Sequence, residues 1–231
     1  RSVLVPYTLL IMLSSYSVCR AMVMPASFLV VLFYAIYLVV RNGVISYQKA
    51  SGLAMFSGIV IFCFYSFIRL KEMLPVEEYG YDAIFFILLI LCFAWGGDTC
   101  AYFAGRAFGK HKLCPVVSPK KTVEGAVGGV LGTMVFGVLI TVIYSIAADR
   151  MEEFTRSNIG VSMYVIIALL ACVAAVLGIY GDLFASVVKR QCGIKDYGTI
   201  FPGHGGILDR FDSVMFIAPF VTMVVIAAFY D

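Results

Sequence analysis

Residues 161–180 read VSMYVIIALLACVAAVLGIY, an apolar run that contains no charged side chain. An α-helix needs about 20 such residues to cross the hydrocarbon layer of a membrane, which is about 30 Å thick. The run ends at Gly181-Asp182, and an ionisable group this close to membrane depth is costly and usually functional. This stretch therefore predicts a transmembrane helix that ends in a functional carboxylate.

The composition extends this interpretation to the whole chain. Hydrophobic residues make up 62% of the sequence and charged residues 13%, against about 45–50% and about 25% in ordinary soluble domains. We predict an all-α, polytopic integral membrane protein with about seven transmembrane helices. The first apolar run lacks a cleavage site and is interpreted as a span, not a signal peptide. The predicted spans are residues 3–18, 23–40, 51–69, 83–97, 123–147, 161–181 and 213–230, of which the fourth is short for a full crossing.

The distribution of charge predicts an orientation. Basic residues collect in the loops 41–49, 98–122 and 182–212, whereas 71–82 and 148–160 are rich in acids. The positive-inside rule then places the basic loops in the cytosol. Because the chain is compact, without a large soluble extension, we expect a bacterial cytoplasmic membrane with the site facing the cytosol. The predicted division is 1–97, N-terminal transmembrane helices, and 98–231, a transmembrane region that carries two cytosolic polar loops and the functional site.

Two classes of function are disfavoured by the same counts. The net charge of +3 comes from basic residues in short loops, not from the broad basic face that a nucleic acid requires. Seven cysteines form no C-x-x-C pair, and only His111 and His204 accompany them. These numbers argue against a zinc site.

The polar stretch after residue 181 predicts a site for a metal and a phosphate. If the helix continues, Asp182, Ser186 and Lys189 fall at i, i+4 and i+7 on one face. Further on, glycines flank His204 and allow backbone N–H groups to approach an anion closely. Asp209 and Asp212, at i and i+3, can share a face at the start of the last span.

The loop 98–122 offers a second group of polar residues. Ser118-Pro119 precedes Lys120, Lys121 and Thr122 and predicts the cap of a helix whose N-terminus faces an anion. The alternative interpretation of the two lysines is a pair that only sets topology. The glycines at 125, 129 and 132 have the small-residue spacing of helix-packing contacts.

These motifs resemble those of the phosphatidate cytidylyltransferases, also called CDP-diacylglycerol synthases. The resemblance lies in Ser186-Val-Val-Lys189-Arg190-x4-Lys195-Asp196 and in Pro202-Gly-His204-Gly-Gly-Ile-Leu-Asp209-Arg210-Phe-Asp212. Ser118-Pro-Lys-Lys-Thr122-Val-Glu124-Gly and the segment Gly97-Asp98…Gly105-Arg106 are also similar to that family. The likeness is strong over residues 95–215 and covers about a dozen fixed positions.

The resemblance implies transfer of CMP from CTP to phosphatidate, with release of pyrophosphate and a requirement for Mg²⁺. It implies that Asp182 and Asp209 are the metal ligands and that Ser186 and Lys189 lie at the phosphate site. The expected partners are CTP, phosphatidate and the lipid bilayer, with a homodimer left open and no nucleic acid.

Each remaining polar residue of the motifs receives a role. Asp98 and Ser118 are counted with the substrate-binding residues, and Asp196 and Asp212 are expected to orient the lysines or the metal. For His204, donation to a phosphate and bracing of the loop remain equal alternatives. The residues expected to bind phosphates as a group are Lys189, Arg190, Lys195, Arg210, Lys120 and Lys121.

Two other classes of membrane protein compete with this interpretation. A transporter of an anionic solute would place its polar residues near the midplane between symmetric halves, whereas here they cluster at one face. A CDP-alcohol phosphotransferase would carry a characteristic Asp-Gly motif, but Asp98 is followed by Thr99.

Overall fold

The computed structural model describes residues 17–40, 47–150, 160–198 and 205–229. These residues are mostly helical, as predicted, with one two-stranded hairpin in addition. The helices are α1 (Ser17–Val40), α2 (Tyr47–Met73), α3 (Val76–Tyr79), α4 (Asp82–Phe108), α5 (Val123–Arg150), α6 (Val161–Gln191) and α7 (Val214–Phe229). Strands β1 (Lys112–Cys114) and β2 (Ser118–Thr122) pair antiparallel, and a 3-10 turn covers Leu208–Arg210.

The long helices have the length and composition of membrane spans. Four apolar segments are long enough to cross a bilayer: Ala54–Met73, Asp82–Phe108, Val123–Arg150 and Val161–Gln191. Shorter apolar helices cover Ser27–Tyr37 and Val214–Ala228. The chain is thus a multi-pass helical membrane protein, as its composition predicted. The count of seven spans stays a prediction, because most of the span 3–18 lies outside the described residues.

Helix α5 packs closely along α4 through its glycines. A Cβ atom added to Gly129 would lie 3.0 Å from the Cβ of Ala101, and one added to Gly125 would lie 2.8 Å from the Ala101 carbonyl oxygen. A Cβ on Gly132 would overlap the side chain of Cys100. The predicted role of these three glycines in helix packing is confirmed.

Helix α4 differs from the prediction in length. Residues 98–108 were predicted to begin a loop, but α4 continues through them to Phe108, so the fourth span is not short. Gly96 and Gly97 lie inside this helix. A Cβ on Gly97 would meet Thr133 Oγ1 at 2.5 Å, so the absence of side chains allows α5 to approach. Asp98 is therefore presented by a helix.

The start of α5 also differs from the prediction. Ser118-Pro119 was expected to cap a helix, but both residues lie in β2, and α5 begins at Val123. The cap is Thr122, whose Oγ1 accepts a hydrogen bond from the Gly125 N–H at 3.1 Å. A threonine at this position satisfies one of the free N–H groups of the first helical turn.

Replacing Thr122 with valine is expected to lower the free energy of unfolding by about 1 kcal/mol, because valine keeps the shape but cannot accept this bond. Thermal unfolding of the detergent-solubilised protein measures the effect as a lower Tm. Thr122→Ser, which keeps the hydroxyl, is the control. Equal melting of Thr122→Val and the wild type would contradict the cap.

Candidate active site

Helix α6 carries the predicted polar stripe. Because α6 extends to Gln191, Asp182, Ser186 and Lys189 lie on successive turns of one face. Ser186 Oγ donates to Asp182 Oδ1 at 3.4 Å. Lys189 is only 9% exposed. A lysine buried to this extent requires an anionic partner, since an uncompensated buried charge is strongly destabilising.

Two carboxylates supply the anionic partners of Lys189. Its Nζ lies 3.0 Å from Asp209 Oδ1 and 3.8 Å from Asp212 Oδ2. The 3-10 turn and the residues directly after it therefore bring both acids to one ammonium group, although they are about twenty residues along the chain from it. Burial, followed by the negative charge of Asp182, raises the pKa of Asp212 to about 7, against the lowering effect of Lys189.

Two described glycines, Gly205 and Gly206, lie against Asp209. Its Oδ2 accepts hydrogen bonds from the N–H groups of Gly206 at 2.9 Å and Tyr197 at 2.8 Å. Gly205 has φ of 82°, and a Cβ there would lie 2.9 Å from the same oxygen. Burial alone would raise the pKa of Asp209, but the hydrogen bonds from Gly206, Lys189 and Tyr197 outweigh it and hold the pKa below its ordinary value. The backbone N–H of Gly206, one of the glycines expected to bind an anion, therefore binds the Asp209 carboxylate. His204 lies outside the described residues.

The hairpin brings Lys121 to α6. At its base, the Glu124 carboxylate accepts hydrogen bonds from the N–H groups of Lys110 at 3.1 Å and His111 at 3.2 Å. Lys121 Nζ then forms an ion pair with Asp182 Oδ2. Lys120, one position earlier in β2, is exposed, as expected where successive side chains point to opposite faces of a strand. The structure therefore separates two lysines that the sequence treated alike.

Asp98 and Ser213 connect α4 to the same group of residues. Ser213 Oγ donates to Asp98 Oδ2 at 3.2 Å. The charge of Asp98 also contributes to the raised pKa of Asp212. Four carboxylates, from residues 98, 182, 209 and 212, are thus linked with Lys121 and Lys189. We call these six residues the polar cluster.

The other predicted site residues lie outside the polar cluster. Ser118 is half-buried in β2. The side chains of Arg190, Lys195, Asp196 and Arg210 are exposed.

Sequence reasoning missed two aromatic residues next to the site. Trp95 Nε1 donates to the Arg210 carbonyl oxygen at 3.0 Å, and its ring contacts Phe211 edge-on with centroids 5.8 Å apart. Tyr197 contacts both Lys189 and Asp209. The sequence did contain an indication for Trp95, which is the single tryptophan of the chain and lies at the polar end of an apolar run. At such a position the indole N–H usually finds a hydrogen-bond partner.

The polar cluster fits a divalent cation in charge and ligand chemistry. Its four carboxylates and two ammonium groups leave an excess of two negative charges when all are ionised. Carboxylate oxygens are the ligands that Mg²⁺ prefers. Within the described part of the chain, no three His, Cys, Asp or Glu side chains are already arranged as a metal site. The polar cluster therefore matches Mg²⁺ in its net negative charge and in its carboxylate oxygens.

A bundle of apolar helices with such a cluster at one end defines a membrane protein whose charged residues are suited to binding anionic groups. The chain belongs to the cytidylyltransferase family, whose sequence model matches residues 1–228. The family predicted from the motifs is confirmed, and the transporter and CDP-alcohol phosphotransferase alternatives are set aside.

Curated relatives carry the name phosphatidate cytidylyltransferase. The protein of Bacillus subtilis (strain 168) is 32% identical over 191 residues, which are 83% of this chain and 64% of that protein. The Staphylococcus saprophyticus protein is 41% identical over 145 residues, covering 63% of this chain and 50% of that protein. A Staphylococcus aureus protein is 39% identical with the same coverage. The chain thus spans half to two thirds of the length of these relatives.

Proposed function

We propose that this chain transfers CMP from CTP to phosphatidate, forming CDP-diacylglycerol and releasing pyrophosphate. The observation that carries the proposal is the polar cluster, which combines lysines suited to phosphates with carboxylates suited to Mg²⁺ beside apolar helices. The names of the family and of its curated relatives support the same reaction.

The chemistry requires two strongly anionic groups to meet. A phosphate oxygen of phosphatidate attacks the α-phosphorus of CTP, a new P–O bond forms, and the bond to the pyrophosphate leaving group breaks. Phosphoryl-type transfers depend chiefly on positioning and electrostatic stabilisation. Lys121 and Lys189 neutralise the phosphates, and the Ser186 hydroxyl, on the same helix face as Lys189, donates to a phosphate oxygen.

The exposed cations have a separate role in the proposal. Lys120, Arg190, Lys195 and Arg210 have exposed side chains and raise the local concentration of anionic substrate. A basic surface at headgroup level also suits a lipid whose acyl chains stay in the bilayer. This surface would face the cytosol from a bacterial cytoplasmic membrane, with the bilayer as a partner.

Magnesium completes the proposed site. Asp182 and Asp209 would hold it, and Asp98 and Asp212 would orient the lysines and balance the charge. When bound, Mg²⁺ supplies neutralisation of the triphosphate oxygens. Of the two proposed ligands, Asp182 is the more accessible, since its side chain is 25% exposed and that of Asp209 is 7% exposed.

The direct test is pyrophosphate release from the purified protein given CTP, Mg²⁺ and phosphatidate in detergent micelles. We expect release that depends on phosphatidate and is matched by the formation of CDP-diacylglycerol. Diacylglycerol, which lacks the attacking phosphate, is the control lipid. A folded protein that releases no pyrophosphate with phosphatidate would rule out the reaction.

Chelation tests the metal. Excess EDTA is expected to reduce pyrophosphate release by about 100-fold or more, because the uncompensated carboxylates then repel the triphosphate. Added Mg²⁺ restores the rate, and EDTA already saturated with Mg²⁺ serves as the control for effects of the chelator itself. An unchanged rate in EDTA would contradict the metal requirement.

A further inference from the structure

Tyr197 follows the end of α6 and folds back against the last two turns of that helix. Its hydroxyl donates to the Ala185 carbonyl oxygen at 3.0 Å. A phenol is protonated at neutral pH, so this hydroxyl acts as the donor. The ring is thereby tied to the residue directly before Ser186.

Tyr197 also contacts both members of one ion pair. Lys189 Nζ lies 5.3 Å from the centroid of the ring, within range of a cation–π interaction. The backbone N–H of Tyr197 donates to Asp209 Oδ2 at 2.8 Å, while Lys189 binds Oδ1 of the same carboxylate at 3.0 Å. Tyr197 therefore restrains Lys189 through its ring and Asp209 through its backbone N–H.

Helix α2 also supports the ring. Phe56 stacks on Tyr197 with centroids 5.4 Å apart and planes inclined by 21°. The ring also joins an apolar cluster that contains the buried residues Cys63, Ala185 and Met215, from α2, α6 and α7. Packing from three helices limits the positions available to the ring.

We propose that Tyr197 is a positioning residue that fixes the Lys189 ammonium group against Asp209 and presents it to the phosphates of CTP. A lysine on its flexible four-carbon stem needs such restraint to hold one geometry. This inference deepens the proposed function and rests on it. A purely structural role, filling space between helices, is the alternative that the experiments must separate.

The first experiment needs no substrate. The protein is treated briefly with an amine-reactive reagent, and modification of Lys189 is followed by mass spectrometry. Tyr197→Leu is expected to increase the labelling rate of Lys189 by about 5-fold or more, because the ring no longer covers the ammonium group. Tyr197→Phe, which keeps the ring, is expected to stay within about 2-fold of the wild type.

Tyr164→Leu is the matched control, because Tyr164 is also half-buried on α6 and donates its hydroxyl to Ser145 Oγ at 3.0 Å, far from Lys189. Unchanged Lys189 labelling in folded Tyr197→Leu overturns the proposal. If that variant does not fold, Phe56→Leu removes the ring that is stacked on Tyr197, and unchanged labelling of Lys189 there also overturns the proposal.

The second experiment uses CTP binding in the presence of Mg²⁺. We expect Tyr197→Leu to weaken binding by about 10-fold alone and by less than about 2-fold in a Lys189→Met background, since its effect passes through Lys189. Losses of equal size in both backgrounds indicate a structural role and overturn the proposal. A wild-type protein without pyrophosphate release would remove the proposed function, and the labelling experiment would still decide whether Tyr197 restrains Lys189.

Discussion

Replacing Asp182 or Asp209 with asparagine is expected to reduce pyrophosphate release by about 1,000-fold or more while membrane insertion persists. Asparagine keeps the shape of the side chain but removes the charge. At Asp182 the change removes the anionic partner of Lys121, and at Asp209 it removes the closer anionic partner of Lys189. Each change also removes a proposed ligand of Mg²⁺, so the loss should appear in the rate at saturating CTP.

The measurement is the rate of pyrophosphate release by purified variants, together with the yield in the membrane fraction. Asp149→Asn is the matched control, because Asp149 is exposed in the last turn of α5, at the other end of the bundle. A near-normal rate in either Asp182→Asn or Asp209→Asn would refute the metal role of that residue.

Two adjacent lysines are expected to behave very differently. Lys121→Met should weaken CTP binding and lower the rate, with a combined loss in kcat/KM of about 100-fold, since this ammonium group is held inside the polar cluster. Lys120→Met should cost only about 3-fold, through weaker long-range attraction of an anionic substrate. Methionine preserves the length and apolar stem of lysine in both variants.

Equal losses of kcat/KM in the two lysine variants would contradict the different environments that the hairpin gives Lys120 and Lys121. They would favour the alternative that the pair acts together by setting topology. A reporter fused to the C-terminus distinguishes these cases, because a topology defect changes the side of the membrane on which the reporter lies. Loss of turnover with unchanged orientation supports the site.

The α6 stripe could be predicted from the sequence because helical periodicity alone brings its residues together. Asp182, Ser186 and Lys189 need only a helix that continues past the apolar run. The approach of Asp209 and Asp212 to Lys189 was not predictable in this way, since it depends on the path of a loop. The sequence motifs indicated their importance but not their partner.

Other features depend on contacts between helices that no local pattern reveals. Asp98 was predicted to lie in a loop, but α5 packs against Gly96 and Gly97 and the helix continues. Lys121 could not be distinguished from Lys120 without the strand that turns them to opposite faces. Tyr197 and Trp95 were missed because their roles come from neighbours distant in sequence.

Because Phe56 stacks on Tyr197, removal of the helices before residue 98 is expected to lower activity. A fragment that starts at residue 98 keeps every member of the polar cluster. It loses the ring behind Tyr197, and with Trp95 it loses the donor to the Arg210 carbonyl. The early helices therefore serve as a scaffold for the chemistry as well as an anchor, and an apolar substitution far upstream can alter turnover.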